Sequence, residues 1–249
     1  MNFKDNFSKQ SKAYQKYRPS YPQELFAYLS SLSKNHELAW DCGTGNGQSA
    51  FGLANYFEKV FATDPSAQQI SNAQAHPKIT YQVENAENCS LESNSADLIT
   101  VAQALHWFNF EKFYSEVKRV LKPEAIIAVW TYSLPRISPE IDEIVLHFHD
   151  TIVGSFWQKE NQYVIEEYKT IPFPFKEIET SSFKFQKEIL LEDLKGLLIS
   201  WSATQRYKDQ NGTDPLLEIE TKLQNLWQNS TEAKIATWTI FLKVGRVNG

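Results

Sequence analysis

With 249 residues, 42% of them hydrophobic and 14% aromatic, the chain can bury one substantial core, and a single domain carrying an insertion is the expected organisation. A formal net charge of -5 gives no global positive field to attract phosphates, which counts against a nucleic-acid partner. Two cysteines, Cys42 and Cys89, are too few for a disulfide framework, and neither a secretory signal nor a run near the roughly 18 apolar residues of a membrane span is visible, so a reduced, cytoplasmic setting is expected.

The first periodic segment, Tyr21 to Ser33, places Leu25, Tyr28, Leu29 and Leu32 on one face at helical spacing, with Pro22 suited to the first turn. Glu37 to Cys42 is a short apolar run entering a glycine cluster, as a buried parallel strand does. The spacing then predicts a helix over Gln48 to Phe57, a strand over Lys59 to Asp64, a helix over Ala67 to Ala75 and strands over Ile79 to Val83 and Ala96 to Ala102. A helix over Phe110 to Leu121 and a strand over Ala125 to Thr131 complete an alternation that implies a mostly parallel sheet with helices on both faces. Beyond Ser133 helices are expected over Pro139 to Val153 and Glu160 to Tyr168, then a proline turn at Ile171 to Pro174 and a strand within Glu177 to Ile189. Helices over Leu191 to Tyr207 and Pro215 to Trp227 and an alternating strand over Thr237 to Val244 close the chain. The expected division is 1–35 as lid and first helix, 36–132 as ligand-binding core, 133–210 as an insertion with one strand, and 211–249 as the last helix and strand.

The sharpest local signal is Asp41-Cys42-Gly43-Thr44-Gly45-Asn46-Gly47, a glycine turn between a strand and a helix, where an open α/β sheet binds its ligand. A dinucleotide fingerprint would need glycine at Gln48 and would not call for an acid at Asp41. An acid there disfavours a pyrophosphate and favours a ligand bearing an ammonium group. Asp64, 21 residues after Gly43 at the end of the second strand, is placed to accept from two ribose hydroxyls, with Pro65 offering an apolar face to a base. Ala86 and Glu87, after the third strand, are candidates for a ring nitrogen and an exocyclic amine. Cys42 reads as a small packing residue.

These motifs resemble those of the class I S-adenosylmethionine-dependent methyltransferases, over a stretch from about Phe7 to the final strand. The resemblance implies a Rossmann-like seven-stranded sheet with an antiparallel last strand. It implies S-adenosylmethionine as cofactor, contacts from Asp41, Gly43, Thr44, Gly45 and Asp64, Glu87 beside the adenine, and Gln103-Ala104 near the methionine moiety. A narrower likeness, to the small-molecule branch that includes trans-aconitate methyltransferase, rests on the segments 14–22, 102–108 and 201–207.

Methyl transfer from a sulfonium is an in-line displacement, so alignment and exclusion of water come first. An ionised carboxylate acceptor needs no base; for a protonated acceptor His106 is the candidate base, with a packed wall residue as the alternative. Tyr14, Tyr17, Arg18 and Tyr21 form a candidate lid, Arg18 being able to clamp a carboxylate, while Tyr14, Arg18, Trp107, Trp201 and Tyr207 are candidate substrate contacts. No metal is expected, since His147 and His149 would point about 200° apart on a helix. The expected acceptor is a small molecule, a carboxylate among the options, and the runner-up is carbon or oxygen methylation of a larger hydrophobic or carrier-bound one. A nicotinamide-dependent oxidoreductase and a non-catalytic cofactor-binding protein are the rivals from other classes; neither a nucleic-acid nor a membrane partner is expected, and the chain is expected as monomer or homodimer.

Overall fold

The computed structural model describes Tyr17 and residues 20–247. Helix α1 (Gln23–Leu32) leads into β1 (Leu38–Cys42), α2 (Gln48–Leu53), β2 (Lys59–Asp64), α3 (Ala67–Ser71) and β3 (Ile79–Val83). Then come β4 (Ala96–Ala102), α4 (Phe110–Val120) and β5 (Leu121–Tyr132), and β1 to β5 pair in parallel. After β5 lie α5 (Pro139–His147), the single turn α6 (Gln162–Ile165), β6 (Lys176–Ile178), β7 (Phe183–Ile189), α7 (Leu191–Ile199), α8 (Ser202–Asn211), α9 (Glu220–Trp227) and β8 (Lys234–Arg246).

The strands lie in the order β3-β2-β1-β4-β5-β8, with β8 antiparallel to β5 and both β6 and β7 antiparallel to β8. The single strand expected within Glu177 to Ile189 is two short ones that share one lane of a seven-lane sheet. Their register on β8 slips between Ile178↔Val244 and Phe183↔Ile240, five residues advancing against four, as at a bulge. β1 has β2 on one side and β4 on the other, so strand order reverses there, and a crevice opens at the carboxyl ends of these strands.

Every residue of β4 from Ala96 to Val101 is buried, as a parallel strand covered on both faces must be. Alternate residues feed two cores: Leu98, Ile126, Ala128 and Trp130 meet Leu25, Phe26 and Leu29 of α1 on one face. Ile99, Val101, Ile127 and Val129 meet Phe113, Val117 and Val120 of α4 on the other. The spacing of that last trio holds α4 against the sheet, and Phe113→Ala should cost about 3–5 kcal/mol in a denaturation experiment.

The region after β5 differs most from expectation. The helix expected over Pro139 to Val153 is α-helical only to His147 and continues as a π-turn over Phe148–Ile152. The helix expected over Glu160 to Tyr168 is one turn, ended by Glu167 and Tyr168 at positive φ. The long helix over Leu191 to Tyr207 breaks at Trp201, whose backbone is extended. Hydroxyls there replace the lost helical amides, Ser200 Oγ donating to the Leu197 carbonyl (2.6 Å) and Thr204 Oγ1 to that of Leu198 (2.7 Å). Among the described residues no helix is long and apolar enough to cross a membrane.

Candidate active site

The turn after β1 lies in the crevice. Gly43 has φ +69°, and a Cβ added to it would lie 2.6 Å from the Ala104 Cβ, so the loops after β1 and β4 touch only because this residue has no side chain. The Thr44 amide donates to the Thr63 carbonyl (2.9 Å), which ties the turn to β2. Asp64 finishes the frame: Oδ2 accepts from the Gly45 amide and Oδ1 from the Ser66 amide, both at 2.9 Å. One carboxylate thus fixes the tips of two loops with charge-assisted hydrogen bonds.

Asp41, expected as a cofactor contact, turns its side chain inward beneath the turn. It is fully buried beneath the turn and accepts from Thr44 Oγ1 (2.5 Å) and Thr100 Oγ1 (2.7 Å). Burial raises its carboxyl above the ordinary value of 3.8, against the pull of those hydroxyls. The folded state therefore disfavours ionisation: the stability linked to the protonated acid is fully present below the unfolded value and is lost as pH rises through the folded one. Asp41→Asn, which cannot ionise, should accordingly gain in melting temperature relative to the unaltered protein as pH rises above about 4. Asp41→Ala should lose about 1–3 kcal/mol for each hydroxyl left without an acceptor.

Two cavities meet at the end of β4. The first, the turn cavity, holds about 770 Å³ and is walled by Gly43, Thr44, Gly45, Asp64, Pro65, Gln103 and Ala104 together with Tyr21, Asn46, Gln48, Ser49, Gln69, Ala102, Trp107 and Phe108. Ala86 and Glu87 are not in its wall. Ala86 is buried in the second core, and Glu87 Oε1 accepts from the Asn109 amide (2.8 Å) at the start of α4. Tyr21 stands edge-on to Trp130 at 5.4 Å, while Tyr17 lies across Gly196 of α7. Tyr14 and Arg18 lie outside the described residues.

The second, the aromatic cavity, holds about 780 Å³ and shares Gln103 and Trp107 with the first. Its other walls include His106, Tyr132, His149, Trp157, Asn161, Trp201 and Trp238, and its described lining contains no Lys, Arg, Asp or Glu. Trp201 is here as expected from sequence, packed near Phe148, His149 and Trp157. Tyr207 is not: its hydroxyl donates to Glu218 Oε1 (3.1 Å) and its ring lies on Phe156. His106 is buried and shares a 2.8 Å hydrogen bond between Nδ1 and the hydroxyl of fully buried Tyr168. Burial lowers its pKa to about 3, so it stays neutral in the wall of this cavity.

The family profile of a methyltransferase domain matches residues 40–129, the segment from β1 to β5. A protein of Dictyostelium discoideum named as a methyltransferase is 35% identical over 232 residues, 92% of this chain and 88% of its own. A solved structure of a candidate type II methyltransferase from Anaeromyxobacter dehalogenans superposes with a TM-score of 0.86 at 37% identity, covering 93% of this chain and 98% of the other. The chain belongs to the S-adenosylmethionine-dependent methyltransferases. The fold extends to more distant members: a phosphoethanolamine N-methyltransferase of Haemonchus contortus, solved with S-adenosylhomocysteine, gives a TM-score of 0.50 at 16% identity over 97% of this chain and 58% of its own.

Some of this methyltransferase's site residues escape a reading of motifs. Gln69 Oε1 and Ser49 Oγ are buried in the wall of the turn cavity without a hydrogen bond of good geometry, Ser49 lying beside the Asp41 carboxylate. Unmet polar atoms in a cavity wall fit a polar ligand better than an apolar one. The signal for Gln69 is its place one turn beyond the Ser66 cap; Ser49 carries none beyond its nearness to the glycine turn. Gln103, between the two cavities, holds φ +56° without being glycine, while its Oε1 accepts from Thr131 Oγ1 (2.6 Å). Gln103→Ala keeps the strain and loses the bond; Gln103→Gly should be more stable than the Ala variant by about 1 kcal/mol in urea denaturation.

Proposed function

We propose that the turn cavity holds S-adenosylmethionine, that the aromatic cavity holds a small, neutral and mostly apolar acceptor, and that the methyl group passes between them beside Gln103 and Trp107. The observation that carries this reading is the shared wall: two cavities meet at the end of one strand, with Gln103 and Trp107 lining both. S-adenosylmethionine supplies a methyl carbon on a sulfonium, open to in-line displacement.

In this reading the Gly43-Thr44-Gly45 turn, with Gln103 and Ala104, cradles the methionine end, and the Asp64 carboxylate, fixed between the tips of two loops, accepts from the ribose hydroxyls. Pro65 offers an apolar face to the adenine, and Gln69 and Ser49 supply polar contacts. Trp107 and Phe108 line the same cavity and help keep water out. On the acceptor side a buried carboxylate would lie among walls whose described residues include no Lys or Arg, which is costly, so a neutral molecule fits better.

The test is transfer of labelled methyl from S-adenosylmethionine to matched panels of neutral aromatic molecules and small carboxylates, followed by release of S-adenosylhomocysteine. Turnover of the neutral panel alone is the expected result. Turnover confined to carboxylates would refute the acceptor assignment, and binding without turnover on either panel would favour a non-catalytic cofactor-binding protein.

A further inference from the structure

We infer that His149 and Asp150 form a proton-accepting dyad for an acceptor hydroxyl, with a phenol as the chemical class; the inference rests on the reading that the aromatic cavity takes the methyl acceptor. His149 lines that cavity from the π-turn over Phe148–Ile152. One-turn π segments recur at functional sites because they re-aim a side chain out of helical register. His149 Nδ1 lies 2.6 Å from Asp150 Oδ1. An ionised carboxylate only accepts, so Nδ1 keeps its hydrogen and the lone pair falls on Nε2, the tautomer a general base needs.

The ring is held in place: it packs on Trp157 at 4.8 Å and edge-on to Trp201 at 5.4 Å, and Trp157 Nε1 donates to the His149 carbonyl (3.1 Å). Nε2 makes no hydrogen bond within the described residues. The His149 side chain is 13% exposed and that of Asp150 is 56% exposed, so a proton collected inside has a partner that reaches water. Other groups around it do not compete. His106 in the same wall is held neutral against Tyr168, Tyr132 is the remaining titratable side chain of the lining, and Arg206, on the helix packed against this region, donates to the Phe156 carbonyl with Glu160 nearby.

A phenol matches the walls in three respects. Its ring is flat and apolar, it is neutral at pH 7 because its hydroxyl ionises near 10, and it must lose a proton to become a good nucleophile. In the transfer the phenolic oxygen forms the new bond to the methyl carbon, the carbon–sulfur bond breaks with its electron pair left on sulfur, and the phenolic proton passes to His149 Nε2. The resulting imidazolium is stabilised by Asp150 and returns its proton to solvent. His149 is the catalytic residue of this step and Asp150 the positioning residue.

The test compares 4-methylphenol with 4-nitrophenol, which is largely ionised in mild alkali and needs no base. For His149→Gln, methyl transfer to 4-methylphenol should fall about 100-fold or more and transfer to 4-nitrophenol less than about 5-fold; Asp150→Asn should show the same selectivity at smaller size, and His147→Gln, on the exposed end of α5, should show none. A second readout needs no cofactor: mixed with 4-nitrophenol where the free probe is mostly protonated, the unaltered protein should raise the phenolate absorption band and His149→Gln should not. Equal losses on both phenols, or identical spectra, would overturn the dyad. Absence of turnover of either phenol by a protein that binds S-adenosylhomocysteine would overturn the phenolic class. Failure to bind S-adenosylhomocysteine at all would instead overturn the cofactor reading beneath it.

Discussion

Gly43→Ala should abolish cofactor binding and lower stability by about 2–4 kcal/mol, the sum of a left-handed backbone that a Cβ opposes and an overpacked contact. Both terms are local. The residue sits at φ +69°, and the new methyl would fall 2.6 Å from the Ala104 Cβ and 3.0 Å from the Phe108 ring. Ala104 has no flexible side chain to turn aside, so the loops after β1 and β4 must part, and both line the turn cavity. Adding Ala104→Gly removes the contact but not the φ penalty, so the double variant should regain about 1–2 kcal/mol beyond additivity. Urea denaturation of the two single variants and the double one, with S-adenosylhomocysteine titration of each, measures both effects. Strict additivity would mean that the two loops do not press on each other.

Asp64→Ala should weaken S-adenosylhomocysteine binding by about 100-fold or more, since hydrogen bonds to a charged group are worth about 1.5–3 kcal/mol each and several depend on this carboxylate. Removal leaves the Gly45 and Ser66 amides without their anionic acceptor and frees the tips of both loops, besides deleting the proposed ribose contact. Asp64→Asn keeps one oxygen and sets an amide N–H against a backbone N–H, so its loss should be intermediate, about 10-fold. If the Asn and unaltered proteins bound alike, the charge would be irrelevant and the ribose assignment would fall.

The sheet was legible because buried parallel strands and amphipathic helices have different periods, and the runs from Leu38 to Tyr132 keep them cleanly apart. The place of Gly43, Gly45 and Asp64 at the carboxyl ends of β1 and β2 was legible because a strand-to-helix turn at the switch point constrains residue type. What Asp41 does was not, since its orientation depends on a partner 59 residues away: Thr100 is its register neighbour on β4 and takes its carboxylate inward. A threonine inside the apolar run Leu98-Ile99-Thr100-Val101 hints at such a partner, because a buried hydroxyl must be satisfied. The partners of Glu87 and Tyr207 were hidden for a related reason. Each found a local partner, the Asn109 amide and Glu218, that no motif encodes. The region after β5 was read least well, because its helices are set by tertiary contacts: Trp201 breaks one by joining an aromatic cluster, and Tyr168 ends another by turning in to His106.

The most direct test of the central claim is calorimetric titration of the purified protein with S-adenosylmethionine, S-adenosylhomocysteine and NADH. Saturable binding of both adenosyl ligands, with no heat from NADH, is the predicted result. Binding of NADH, or indifference to both adenosyl ligands, would contradict the assignment of the turn cavity.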